Sequence, residues 1–481
     1  MSDPLALLPF ALAAANGRID GHPSRELVAA GVALLRRLPA LPRALAGRRA
    51  GILLPAGPAW LTALAASDGR GAVLLSPLSS PRELRDQLDD AAVGVVFTLA
   101  SWAEDLPPDC PRLLLDDAPR SARFVHGAVT RDVSMVGDAS LLLTGDPEVD
   151  GRDEEALLVH TSAMEGVPLA AVLTHRNLLA NGRGIVIATD LRPDDRALAT
   201  LPLVPLFGAM VGLVAPLLAG AEVRTAPGLP AARLLDRLSA DGITVFAGVP
   251  SQYGALLELI QRRGQRFEGH ALRLCIVSGT AHDPTLHERW ADATGVELRQ
   301  GYGLAEAGAL CLFNRVGLPN HRGTVGVPVP GSEVTVRHLD HAGVLPPKVE
   351  GEICVRGDSV SPGYLSRGAA GLARRDGWLR TGDRGVKHGD GTITLRGTLK
   401  PMVVRDGIEL YPREVERVLG ELPGVSRARV WACPGSDGEP ALAAELWGDV
   451  TEEDVRRWCR ERLSGYKHPA DITVHVPVGG C

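Results

Sequence analysis

The chain has 481 residues, 45% of them hydrophobic, enough for more than one compact unit and a large buried core. A formal net charge of −6 is ordinary for a soluble protein and gives no basic footprint for nucleic acid; no run of about 18 uncharged apolar residues supports a membrane span. Seven cysteines, scattered with no C-x-x-C pair, fit a reduced, cytoplasmic compartment.

The N-terminal stretch carries Asp3 and no basic region, so a signal peptide is not expected. Apolar spacing predicts a helix over 24–37, and AGILL (50–54) and GAVLL (71–75) read as short buried strands. Ser80, Pro81 and Glu83 have the pattern of a capping box, opening a helix before the strand GVVFTLA. Residues 157–179, LLVHTSAMEGVPLAAVLTHRNLL, have the layout of a strand, a phosphate-type loop, a second strand and a helix. Thr161, Ser162 and Gly166 supply donors for an anion, yet the loop holds Ala163, Met164, Glu165 and Leu169 and no positive charge.

The alternation continues through 195–225 and 231–260, so the fold class is α/β. ALRLCIVSGTAHD (271–283) and LRQGYGLAEAG (298–308) are strands ending in small-residue turns, and ligands in such sheets bind beyond the carboxyl ends of strands. From about 323 the texture becomes Gly/Pro-punctuated short strands, a β-rich subdomain. After 397–400 come a helix over 412–419, two strands, the helix EEDVRRWCRERL and a last strand, a small α+β unit. The pair His282 and His287 lacks i, i+4 spacing and ligand neighbours, so a surface position is expected rather than a zinc site. GYGLAE fails the dinucleotide fingerprint at its last position, and no G-x-S-x-G elbow occurs.

Together these segments resemble the adenylate-forming superfamily of acyl-CoA synthetases, nonribosomal peptide adenylation domains and luciferases. TSAMEGVPLA followed by THRNL matches the family's T-S-G-T-T-G-x-P-K-G and T-H-x-N-L without a gap. LPLVPLFG is similar to its L-P-L-F-H-x-x-G, SGTA to its adenine turn and QGYGLAEAG to its Y-G-x-T-E. GEICVRG, GWLRTGD and the YPREVE after Gly407 follow in the family's order, so the resemblance spans roughly residues 20–476.

The resemblance implies an acyl-CoA synthetase-like fold: an N-terminal AMP-binding domain over 1–397 and a shortened lid over 398–481. It implies two half-reactions: a carboxylate attacks the α-phosphate of ATP to give an acyl-adenylate, then the lid turns about a hinge and a thiol displaces AMP. It places Ser278, Gly279 and Thr280 at the adenine turn, and Gln300, Gly301, Tyr302 and Gly303 around AMP, with Tyr302 stacking on adenine and Gln300 meeting its exocyclic amine. Asp383 would accept from the ribose hydroxyls, Lys400 would be the hinge, and Gly407 would line the pantetheine tunnel. Phe207, Met210 and Val211 are expected to line an apolar acyl pocket, and Glu306 matches a Mg²⁺ ligand.

The departures concentrate on the first half-reaction. The loop Lys is Leu169, the hydroxyl pair is Met164 and Glu165, and the Thr of Y-G-x-T-E is Ala305. A Glu165 carboxylate about 5 Å from a phosphate oxygen would cost roughly 3 kcal/mol per unit charge at an effective ε of about 20. The family's lid ends in P-K-T-x-x-G-K, whose Lys bridges carboxylate and α-phosphate, whereas this chain ends HVPVGGC with no Lys after Lys467. The ribose-contacting Arg is Thr398, with Arg396 nearby, and the His of L-P-L-F-H is Pro205.

The second half-reaction asks mainly for positioning, because the mixed anhydride is already activated and a thiol of pKa near about 8.5 is a strong nucleophile. The leading expectation is therefore a non-adenylating acyl-CoA synthetase homologue, converting an acyl-adenylate supplied by a separate adenylating enzyme, together with CoA, to acyl-CoA and AMP, without need of ATP or Mg²⁺. This division of labour resembles that of a ligase pair in platensimycin-type diterpenoid biosynthesis. Two alternatives stand beside it: an ATP-dependent acyl-CoA or acyl-carrier ligase with a remodelled loop, and an inactive binding subunit. Taken singly, the residues keep structural readings: Tyr302 a core aromatic, Asp383 a turn aspartate, Lys400 a surface lysine, Ser278 to Thr280 a tight turn, Glu306 a relic and Glu165 a solvent-facing carboxylate.

Overall fold

The structure, a computed structural model, describes residues 7–38, 40–67, 71–116, 120–135, 153–161, 168–264, 267–279, 284–341, 343–366, 372, 374–405, 408–435 and 440–475. Two nine-stranded sheets form the large unit. In the first, Arg49–Leu53 runs parallel to Ala72–Leu74 and Val93–Thr98, and Glu155–Thr161 lies parallel on the far side of Ala72–Leu74. Leu169–Thr174 then returns antiparallel to Glu155–Thr161, with Leu169 opposite Thr161. The strand, loop and strand read from the sequence thus form a hairpin, and residues 162–167 between them lie outside the described residues.

The second sheet sets Glu222–Thr225, Arg196–Ala199, Val245–Gly248, Leu274–Val277 and Leu298–Tyr302 side by side and parallel. Near-continuous apolar runs fit strands buried on both faces. One apolar cluster takes in Ile52, Leu74 and Phe97 of the first sheet, Val223, Val245 and Ile276 of the second, and Leu34, Trp60 and Leu178 from helices. Those helices are Ser24–Arg37, Pro58–Ala66 and His175–Thr189.

The T-H-x-N motif sets the start of the last of these. Thr174 accepts from the Asn177 N–H (3.2 Å) and Asn177 accepts from the Thr174 N–H (2.9 Å), a reciprocal cap. The Asn177 amide also donates to the Asp358 and Val360 carbonyls (2.7 and 3.1 Å), and buried His175 accepts from the Leu8 N–H (3.0 Å). These motif residues join three distant segments.

A third sheet, built on Ser332–Arg337, Glu350–Gly357, Trp378–Lys387 and Ile393–Thr398, is the β-rich subdomain. The small unit has its own core, with Leu410, Val415, Leu419, Leu442, Leu446, Val455 and Leu463 in one cluster. Its strand Pro440–Gly448 is antiparallel to Val425–Pro434 and parallel to Asp471–His475, and the helix Glu452–Arg462 makes the crossover. A short hairpin, Val403–Arg405 with Ile408–Leu410, precedes this sheet. Among the described residues no helix is long and apolar enough to cross a membrane.

Candidate functional site

The site forms where two parallel strands end. Leu274–Val277 runs into Ser278, whose hydroxyl donates to the Gly301 carbonyl (3.0 Å), so the two turns are tied together. Gly279 has φ +103°, a left-handed value that favours glycine; Thr280 lies outside the described residues. Gln300 is buried, and its carbonyl accepts from the Asn314 N–H (3.0 Å). A Cβ on Gly301 would meet Leu310 Cδ1 at 2.6 Å, and one on Gly303 would stand 1.4 Å from the Ala309 carbonyl oxygen. The Asn181 amide donates to the Ala307 and Leu310 carbonyls (3.3 and 2.8 Å), fixing this turn to the long helix.

Tyr302 and Asp383, read as separate AMP contacts, meet directly: the Tyr302 hydroxyl donates to Asp383 Oδ2 at 2.6 Å. Burial and the adjacent carboxylate push the Tyr302 phenol well above its ordinary range, so it stays a donor. Tyr302→Phe should lower stability by about 1.5–3 kcal/mol, the typical worth of a hydrogen bond to a charged group, read as a fall in the urea midpoint.

Lys400 lies over the T-G-D turn. Its stem passes Gly382, where φ is +74° and a Cβ would sit 2.8 Å from Lys400 Cε, and its Nζ is 3.8 Å from Asp383 Oδ2. Thr398 holds the approach, donating to the Gly382 carbonyl and accepting from the Lys400 N–H (both 3.1 Å). Sequence reasoning missed Glu352, which anchors the turn from below: it accepts from the Gly382 N–H (2.9 Å) and pairs with Arg380. Its signal lay in GEICVRG, read as a family landmark with no role given to its glutamate.

Glu306 Oε1 accepts from the Tyr364 hydroxyl (2.6 Å), and its carbonyl accepts from the Ser361 N–H (2.8 Å). From the small unit, Glu409 reaches the same cluster and accepts from the Tyr411 hydroxyl (2.9 Å). Burial raises the Glu409 carboxyl, and Glu306 and Asp383 add to the rise against the pull of Lys400. Burial works to lower the Lys400 ammonium, but Glu409, Asp383, Glu306 and Glu352 outweigh it and hold it above its ordinary value. The centre therefore carries Glu306, Asp383 and Glu409 around one ammonium, with Glu352 answered by Arg380.

Other expected residues fall elsewhere. Met210 and Val211 are core side chains on a single π-turn, Met210–Val214, and Phe207 sits at the margin of the same cluster. Gly407 lies outside the described residues, as do Ser162, Ala163, Met164, Glu165, Gly166 and His282. His287 corrects an expectation: it is 2% exposed rather than at the surface, with Nδ1 2.8 Å from the Leu298 carbonyl. The helix Thr285–Thr294 turns that position toward the strand Leu298–Tyr302, and burial lowers the imidazole pKa. Among the described residues no group of three or more His, Cys, Asp and Glu is arranged for a metal ion. An open depression of about 650 Å³, lined by His321, Arg322, His388 and Asp390 among others, contributes none of these residues.

A long-chain-fatty-acid–CoA ligase of Escherichia coli O6:H1 is 30% identical over 435 residues, covering 82% of this chain and 76% of the relative. A feruloyl-CoA synthase of an Amycolatopsis species is 30% identical over 447 residues, covering 90% and 86%. Among solved structures, an o-succinylbenzoate CoA synthetase from Bacillus subtilis superposes with a TM-score of 0.78 at 23% identity, covering 99% of this chain and 95% of its own. A malonyl-CoA ligase with methylmalonyl-CoA and AMP bound gives 0.77 at 26%, covering 99% of each. The large unit with its small companion is thus the acyl-CoA synthetase fold. The family model described as AMP-binding enzyme matches residues 43–365, more than half of the chain, and the chain belongs to that family.

Proposed function

We propose that this chain forms acyl-CoA by passing the acyl group of an acyl-adenylate to the CoA thiol, with release of AMP. The observation that carries the reading is Lys400 lying over the T-G-D turn with its Nζ 3.8 Å from Asp383 Oδ2, while Glu409, held by the Tyr411 hydroxyl (2.9 Å), bears electrostatically on the same ammonium from the small unit. The small unit contacts the large one through Ser464 and Lys467 on Glu83, which supports a role for it in bringing the thiol to the centre. The names of the Escherichia coli and Amycolatopsis relatives, and the CoA thioester and AMP in the malonyl-CoA ligase, support the same product pair.

In this reading Ser278, Gly279, Thr280, Gln300, Gly301 and Gly303 shape the adenine pocket, and Tyr302 flanks the base. Asp383 keeps Oδ1 for the ribose while Oδ2 serves Tyr302. Lys400 is the hinge cation, Gly407 lines the pantetheine path, and Phe207, with Met210 and Val211 behind it, bounds the acyl side. The thiol gives up its proton to solvent, the C–S bond forms as the acyl C–O bond to phosphate breaks, and AMP leaves with the electron pair; orientation of the thiol supplies most of the acceleration. The Tyr364 hydroxyl on Glu306 supports a structural role for that carboxylate rather than a metal ligand.

For the first half-reaction, the CoA ligase relatives favour the ATP-dependent reading. The non-adenylating reading has its own support: Leu169 stands at the strand start where the family pattern carries Lys, and Lys400 is the cation set among Glu306, Asp383 and Glu409. The test is thioester formation from CoA with a panel of synthetic acyl-adenylates, and separately with free acids and ATP. No thioester from any adenylate refutes the proposal, and AMP binding without thioester would leave a binding subunit. Carboxylate-dependent exchange of labelled pyrophosphate into ATP establishes the ATP-dependent ligase; thioester from adenylates with no exchange establishes the non-adenylating enzyme.

A further inference from the structure

Glu83 does two things at once. It is the third residue of the helix Pro81–Asp90, where its Oε2 accepts from the Ser80 N–H (2.8 Å) while the Ser80 hydroxyl accepts from its own N–H (3.2 Å). The same carboxylate accepts from two residues of the small unit, the Ser464 hydroxyl (2.5 Å) and Lys467 Nζ (2.7 Å). Lys467 donates equally to Glu414 Oε1 (2.7 Å), and the side chains of Glu83, Lys467 and Glu414 are 12%, 11% and 4% exposed.

The choice of residue is informative in a chain with four lysines among 51 basic residues. A tetrahedral ammonium directs donors to two carboxylates on different sides, whereas the planar guanidinium fork suits one carboxylate face-on. The extra negative charge of the triad sits at the first turn of a ten-residue helix, where the helix dipole and the cap favour it. The triad is also mechanically connected to the centre. Glu414 lies in the first turn of the helix Pro412–Gly420, three residues after Tyr411 and five after Glu409. Holding Glu414 through Lys467 therefore fixes the segment that brings Glu409 to Lys400. The helices Pro81–Asp90 and Glu452–Arg462 lie side by side at this junction, and these hydrogen bonds specify one orientation between them.

We propose that Glu83 is a positioning residue for thioester formation, a docking point on the large unit that holds the small unit, through Lys467 and Ser464, in the orientation that completes the site. This rests on the thioester-forming function proposed above. Glu83→Gln is the informative variant, because glutamine still accepts from the Ser80 N–H and keeps the cap while removing the charge that Lys467 faces. Its expected effect is a drop of about 10- to 100-fold in thioester formation from a preformed acyl-adenylate, a part of the cost of breaking a buried hydrogen-bonded charge pair, the rest falling on stability. AMP affinity should stay within about twofold, since the strand-end contacts lie wholly in the large unit.

Two further variants separate positioning from stability. Ser80→Ala removes the cap yet leaves Glu83 facing Lys467, and should keep the wild-type thioester rate. In the double variant Glu83→Gln with Lys467→Met, the loss should be no greater than in Lys467→Met alone, since that change already removes the ammonium that Glu83 faces. Hydrogen exchange gives a readout independent of turnover: amides of 403–405 and 408–420 should exchange faster in Glu83→Gln than in Ser80→Ala. Wild-type exchange and rate in Glu83→Gln, or an equal loss in Ser80→Ala, would overturn the proposal. A wild-type protein inactive with every adenylate would instead overturn the function, and the exchange comparison would still decide the docking point.

Discussion

Lys400→Met is expected to abolish most thioester formation and to loosen the small unit from the large one. The side chain is 12% exposed and its charge is shared by Glu409, Asp383, Glu306 and Glu352. Methionine has similar length and no charge, so the change leaves packing over Gly382 nearly intact and isolates the electrostatic loss. Removing one partner of a buried charge cluster costs about 3–5 kcal/mol, because the remaining carboxylates keep their desolvation penalty without compensation. That is roughly 10- to 70-fold in rate if half of it appears in the activated complex. A Lys400→Met protein turning over acyl-adenylate within about threefold of wild type would rule out the charge role.

The pH dependence has a definite sign. A raised ammonium pKa means that the stability Lys400 contributes is present below its ordinary pKa and lost as pH rises through the folded value, so in wild type it is intact throughout the neutral range. A raised carboxyl runs the other way: burying Glu409 costs more as pH rises from its ordinary carboxylate value through the folded one, and costs least below both. Without Lys400 the Glu409 carboxyl loses the charge that holds it down and moves up further. As pH falls from neutral toward the ordinary carboxylate range, the variant should therefore regain a larger share of its thermal stability than wild type does. The check is a pair of melting curves for each protein.

Local patterns were legible wherever one segment contained its own explanation. The helix Ser24–Arg37 follows from apolar spacing, and the cap of Pro81–Asp90 from Ser80, Pro81 and Glu83 within four residues. The parallel strands ending at Val277 and Tyr302 follow from apolar runs closed by small residues. What was illegible is contact between segments far apart in the chain. Glu83 was read correctly as a cap, but nothing near it announces Lys467, 384 residues away. Glu352 looked like any strand residue because its partners, Arg380 and Gly382, come about 30 positions later. His287 was misplaced because an isolated histidine on a helix carries no sign of which face is buried. The resemblance to a family located Tyr302 and Asp383 but not that one donates to the other, which changes what each can offer a ligand.

The second large effect is predicted at a position with no side chain at all. Gly303→Ala should unfold the turn that carries the site, because the new Cβ would lie 1.4 Å from the Ala309 oxygen, 2.4 Å from its carbonyl carbon and 2.8 Å from Leu310 Cα. All three are backbone atoms, so no rotamer change relieves the overlap, and the 303–310 segment must move away from the end of Leu298–Tyr302. Overpacking a core usually costs about 1–3 kcal/mol, and a clash with fixed backbone belongs at or above the top of that range. The displacement would separate Tyr302 from Asp383 and Glu306 from Tyr364, and draw on the Asn181 contacts that hold the turn to the helix. AMP binding should consequently weaken along with stability. Gly254→Ala is the matched control, since it lies in the helix Pro250–Arg262 with nothing within 4 Å of its new Cβ. There alanine should leave AMP binding unchanged and raise stability by about 0.5–1 kcal/mol through helix propensity. Denaturant midpoints and AMP titration on the two variants decide the matter; a Gly303→Ala protein with the wild-type midpoint would show that this turn is free to move and that the site does not depend on its close approach.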